Sequence, residues 1–98
     1  MINIRSTGDI IMLTKATIVT YAVVQEQFHE ELATMRENKI DELQELGKTD
    51  GTHVRVSENQ VKRFWLDQAA ADEWIAYMQS SAAPFNINMS FVVEDIPV

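Results

Sequence analysis

Five side chains carry most of the chemistry this chain offers: Tyr21, His53, Arg55, Arg63 and Trp65. His53 lies two residues from a cation, Arg55. A histidine acts as a general base or metal ligand only with a carboxylate or second ligand at hand. His53 has none on its own segment, so it reads as a surface or interface histidine. His29 sits in the run QEQFHEEL, which contains no HExxH pattern and no third ligand at zinc spacing. It reads as part of a solvated helix face. Arg55 and Arg63 become near neighbours if their segments pair, and like charges facing across strands are unfavourable. An anion is needed between them: Glu58, Glu94, a carboxylate of a partner chain, or a bound ligand. Phe64 and Trp65 offer surfaces on which bases stack, but the glycine–aromatic motif of sheet-based RNA binders is missing. The glycines form no phosphate loop, and no Ser, His and Asp arrangement stands out. No catalytic residue, cofactor or metal is assigned from these residues.

Charge narrows the partners. Eight Lys and Arg face 15 Asp and Glu, a formal net charge of −7 with a pI near 4.6. Such a surface repels nucleic-acid backbones and anionic membranes. No apolar run approaches the ~20 residues of a spanning helix. The start, MINIRSTGDIIML, lacks a basic region before a long apolar block, so no signal peptide is expected and the location is read as cytoplasmic. The lack of cysteine excludes disulfides, thiol catalysis and thiolate metal sites. A composition 46% hydrophobic and 23% charged is that of a globular domain, and 98 residues make one. A chain of this size buries about two-thirds of its unfolded surface.

The elements that position those five residues follow from periodicity. Residues 1–14 read as an N-terminal arm or an added strand, and residues 15–98 as a single domain. Lys15 to Val24 is rich in β-branched residues and predicts a strand. Ala16, Ile18, Thr20 and Ala22 fall on one face; Thr17, Val19, Tyr21 and Val23 fall on the other. Gln25 to Leu46 predicts a helix with Phe28, Leu32, Met35, Ile40, Leu43 and Leu46 on its buried side, ended by Gly47. Thr52 to Leu66 predicts a hairpin. A three-residue loop, Glu58-Asn59-Gln60, puts Val54 and Val56 on the face of Phe64 and Leu66, with Lys62 as the misfit. That face is expected to be the core. The opposite face carries His53, Arg55, Ser57, Val61, Arg63 and Trp65. Asp67 caps a second helix through about Ser80, with Ala71, Trp74, Ile75 and Met78 as its buried stripe. A last strand is expected over Phe85 to Ile96.

Strand, helix, strand, strand, helix, strand is a ferredoxin-like α+β order: a four-stranded antiparallel sheet with two helices on one face. The uncovered face is then expected to hold Tyr21, Val23, Val61, Trp65 and Phe91 or Val92. An apolar patch of that kind needs a cover, and isologous homodimerisation supplies one.

The segment VKRFWLDQAAADEWIAYM resembles the middle of dimeric α+β barrel proteins, where an aromatic strand precedes a capping Asp or Ser, small residues and a Trp. The likeness covers Lys15 to Ile96 in element order and Arg63 to Met78 in residues. The segment is also similar to small uncharacterised proteins of tailed phages. The resemblance implies the ferredoxin-like fold. It leaves activity open, because the superfamily spans monooxygenases, haem-degrading enzymes, decarboxylases and many proteins of unknown role. The haem-degrading members imply a pocket set of Asn, Trp and His. Trp65 is the Trp candidate, but the first strand lacks Asn and the second helix lacks His.

The leading expectation is a small non-catalytic homodimeric accessory or assembly protein acting through the open sheet face, in the host cytoplasm if the phage likeness holds. The alternative is a cofactor-less monooxygenase or small-molecule-binding enzyme with a pocket near Tyr21, His53 and Trp65. A third reading is an anion- or peptide-binding module using Arg55 and Arg63.

Overall fold

The computed structural model describes residues 12–21, 29–85 and 87–97. Strand β1 (Lys15–Tyr21) leads to helix α1 (His29–Glu45), then β2 (His53–Ser57), β3 (Gln60–Trp65), helix α2 (Gln68–Ala82), a 3-10 turn (Ala83–Phe85) and β4 (Met89–Asp95). The sheet order is β2-β3-β1-β4 and every pairing is antiparallel. This is the expected α+β architecture, and its strand order matches a ferredoxin-like arrangement. Most of the N-terminal arm (residues 1–11), Ala22, Val23, Phe28 and the side chain of His29 lie outside the described residues. Thr14 ties the start of β1 to its neighbours: its amide donates to Trp65 O at 3.0 Å and its carbonyl accepts from Ile96 at 3.0 Å.

Local chemistry explains the element ends. The Asp67 side chain accepts from the Ala70 amide at 2.9 Å while its own backbone stays extended, as an N-cap requires. At the end of α1 the Gly47 amide donates to Gln44 O and the Lys48 amide to Leu43 O, a Schellman pair closed by Gly47 at φ +74°. Leu46, expected on the buried side, is 60% exposed, because the chain turns away from the core at this cap. The last strand is shorter than expected: Pro84 falls in the 3-10 turn, and pairing begins at Met89.

The hairpin corrects two expectations. Its loop has two residues, Glu58 and Asn59, with Ser57 opposite Gln60. A register shift between Arg55 and Ser57 makes Val56 a bulge. The extra residue restores the even offset that pairs Val54 with Lys62 and His53 with Arg63, so the two predicted faces survive even though the loop differs. Their roles are reversed, however. Trp65 is fully buried and stacks on Trp74 of α2, with ring centres 5.3 Å apart. Arg63 is buried on the same side. The face of Trp65, Arg63, Val61, Tyr21 and Phe91 is therefore the one beneath the helices. The uncovered face carries Ile18, Val54, Phe64 and Val92. Lys62, the misfit of the sequence pattern, belongs there: it pairs with Glu94 at 2.9 Å across β1, above the fully buried Ala16. Trp65 reaches Trp74 of α2 only when its face of the hairpin turns inward, and that stacking sets the inward face.

The core is Ile40, Leu43, Trp65, Ala70, Ala71, Trp74 and Met78. The Trp65 Nε1 donates to Thr17 Oγ1 at 2.9 Å, which pins β3 to β1 inside it. Helix α2 lies directly on β1, β3 and β4, whereas α1 packs chiefly on α2. The helix pair is held by Tyr77 Oη donating to Met35 O at 3.2 Å, and by Lys39 and Lys48, which both reach the Glu73 carboxylate. Buried Thr49 stitches the loop after α1 to β3 by donating to Phe64 O at 2.6 Å. No helix among the described residues is long and apolar enough to cross a membrane.

Candidate functional site

Because α1 rests on α2 and not on the hairpin, space remains between α1 and the helix-facing side of the sheet. It forms a cavity of about 890 Å³. Val19, Val61, Met89 and Phe91 make its floor, Leu32 and Ala33 its roof, and Trp74 and Met78 its inner end. Tyr21, His53, Arg55 and Arg63 line it, together with Arg36 and Glu37 of α1 and Glu58 and Asn59 of the hairpin turn. The hairpin end is the mouth: His53, Arg55, Glu58 and Asn59 are all exposed.

Four of the five residues singled out in the sequence thus converge. Trp65 does not join them. It lies in the core with its indole nitrogen bonded to Thr17. Arg36 and Glu37 were missed. The signal was there in the spacing: Leu32 and Ala33 stand one helical turn before Arg36 and Glu37, so all four share a face at the edge of the apolar stripe. Trp74 was recognised as core, and it also lines the cavity.

Arg63 dominates the electrostatics. It is only 5% exposed, and its guanidinium carbon lies 5.4 Å from the Trp74 ring centre. Among the described residues no carboxylate bonds to it. Burial lowers its pKa, and the charge of Arg36 lowers it further, opposed by Glu37 and Tyr21. A guanidinium keeps its proton under any ordinary condition, so this buried group stays a cation. Burying an ion without a bonded counter-ion costs several kcal/mol (roughly) even after relaxation. Its neighbours do little to offset that. Arg36 Nε stands 3.7 Å from Glu37, and Arg55 donates to the backbone carbonyl of Glu58 at 2.9 Å. Glu94, once a candidate partner for the arginines, is engaged by Lys62 on the opposite face.

The contrast with the lysines is informative. All four lysines, Lys15, Lys39, Lys48 and Lys62, sit in ion pairs with Asp or Glu. Three of the four arginines line one cavity, and among the described residues only Glu37 and Glu58 bring carboxylates to its walls. In a chain this acidic, the described walls of this cavity carry a local excess of positive charge. Trp74 adds a second orphan: its Nε1 is buried and has no hydrogen-bond partner among the described residues. His53 has no bonded carboxylate among the described residues, and no group of three or more His, Asp and Glu side chains is placed there to hold a metal ion.

Comparison with protein-family models, curated proteins and solved structures yields no match. The ferredoxin-like likeness rests on strand order and helix placement.

Proposed function

We propose that this protein is a binding module that takes a small amphipathic anion into the groove between α1 and the sheet. The observation that carries the reading is Arg63: a buried guanidinium with no bonded carboxylate, at the wall of a cavity of about 890 Å³. Apolar walls offer area to the body of a ligand, and a few placed polar groups orient it. Arg63 sits deep for the anionic group, with Arg36 beside it and Arg55 at the mouth. The exposed mouth supports binding over water-excluding chemistry of the monooxygenase kind.

The test uses 1-anilinonaphthalene-8-sulfonate as the probe. The wild-type protein is expected to bind one equivalent saturably, and Ala33→Trp, which fills the groove from its roof on α1, is expected to abolish the signal. Equal binding by both proteins would place the probe elsewhere and sink the reading.

A second reading keeps a role in protein contacts. It is supported by Val54 and Val92, 50% and 57% exposed, which share one row of the open face with Ile18 and Lys62. A second copy of the chain would cover that row. Membership of the dimeric α+β barrel superfamily and a phage origin belong to this reading, and rest on the likeness of Arg63 to Met78. A monomer by light scattering at tens of micromolar would remove it.

A further inference from the structure

We infer that the ligand's anionic group is a single carboxylate, received in the groove by the Arg63 guanidinium. The inference rests on the groove reading above and names the chemistry of its deepest contact. The Arg63 guanidinium lines the cavity and has no bonded acceptor among the described residues. The Trp74 ring backs it, 5.4 Å from the guanidinium carbon to the ring centre. A buried cation without a counter-ion is unfavourable. One acceptor group with two oxygens, spanning the guanidinium fork, relieves it.

The charge of the walls selects among acceptors. Among the described residues Arg36, Arg55 and Arg63 stand against Glu37 and Glu58, which leaves room for one negative charge. A dianionic phosphate would meet the two carboxylates with an excess of its own. A carboxylate matches the planar guanidinium fork and carries one charge. Away from the mouth, where His53 and Asn59 stand, most of the remaining lining is apolar or aromatic, including Val19, Leu32, Met78 and Phe91, so the body behind the carboxylate is a hydrocarbon or an aromatic ring.

The experiment is calorimetric titration with three probes of one shape: naphthalene-2-carboxylate, naphthalene-2-carboxamide and 2-naphthyl phosphate. The carboxylate is expected to bind about tenfold more tightly than the amide, the step expected of one charge-assisted contact. That ratio should collapse toward one in Arg63→Met. An amide that binds as tightly as the carboxylate, or a phosphate that binds more tightly, overturns the carboxylate assignment while leaving the groove intact. A ratio that stays tenfold in Arg63→Met overturns the assignment of the carboxylate to Arg63. If no probe binds and Ala33→Trp does not alter dye binding, the groove reading itself falls.

Discussion

Arg63 and Trp74 meet where the core ends and the groove begins: the guanidinium carbon lies 5.4 Å from the centre of the Trp74 ring, which also stacks on Trp65. Trp74 therefore belongs to both regions. Residues 63 and 65 project from the same face of β3, one turn of the pleat apart, so the strand delivers an arginine and a tryptophan to a single aromatic ring. The same side chain lines the groove and closes the core.

Arg63→Met should leave the fold as stable as the wild type or more so. The cation–π contact is worth about 1–2 kcal/mol where it is desolvated, less than the penalty of burying the unpaired ion. Methionine retains much of the stem that packs in the groove. Urea unfolding followed by tryptophan fluorescence is expected to give a midpoint equal to or above that of wild type. Arg63→Ala, which also empties volume, should fall below it. A loss of more than about 2 kcal/mol in Arg63→Met would mean that the arginine is structural.

The Trp65–Thr17 hydrogen bond is a buried pair, and its members should be coupled. Thr17→Val leaves the indole N–H without an acceptor, a loss of about 1–3 kcal/mol. Trp65→Phe leaves the hydroxyl able to turn to another acceptor, but also gives up core volume. In a double-mutant cycle the two losses should be less than additive by at least about 0.5 kcal/mol. Additivity would show that the 2.9 Å contact contributes little.

Much of this arrangement was legible in the sequence, and the part that was not has a definite cause. Element order, the Asp67 and Gly47 caps, and the grouping of His53, Arg55, Arg63 and Trp65 on one face all follow from short-range rules. The direction of that face does not. Alternation says which residues go together, and Val54, Val56 and Phe64 looked like the inward set because arginines are rarely buried. The structure buries Arg63 because Trp65, two residues on, has Trp74 to stack on, a contact across elements that no local pattern encodes. The bulge at Val56 is equally hidden: a three-residue loop and a two-residue loop with a bulge give the same faces. The groove depends on α1 leaning on α2, a tertiary choice made by Tyr77, Lys39 and Glu73.

The two helix ends offer tests with different signatures. Asp67→Ala removes the acceptor for the Ala70 amide and should lower stability by about 1 kcal/mol. Gly47→Ala meets no atom within 4 Å, so its effect is purely one of backbone conformation. At φ +74° a side chain costs about 1 kcal/mol. Gly51→Ala has the same kind of backbone penalty at φ +81° and in addition displaces the Gln44 amide, which lies 2.7 Å from the added carbon. Gly51→Ala should therefore be the more damaging of the two by thermal unfolding. The reverse order would show that Gln44 swings aside freely.

Glu73 predicts how stability responds to pH. Hydrogen bonds from Lys48 and Lys39, at 2.8 and 3.1 Å, hold its carboxyl below the ordinary value of 4.5, against a smaller opposing effect of burial. A depressed folded pKa contributes stability that is fully present above the unfolded value and is lost as pH falls through the folded one. For Lys39, burial pulls the pKa down, but its bonds to Glu42 and Glu73 outweigh this and raise it above 10.5. That contribution is present below 10.5 and is lost as pH rises through the raised value. The difference in unfolding midpoint between wild type and Glu73→Gln should thus be constant between about pH 5.5 and 9.5. It should vanish in acid, where Glu73 is itself neutral, and shrink in strong base. Solvent reaches about a third of the Glu73 side chain, so the plateau should not exceed about 1 kcal/mol. A difference that persists unchanged at pH 2.5 would show that the glutamate acts through packing between α1 and α2, not through its charge.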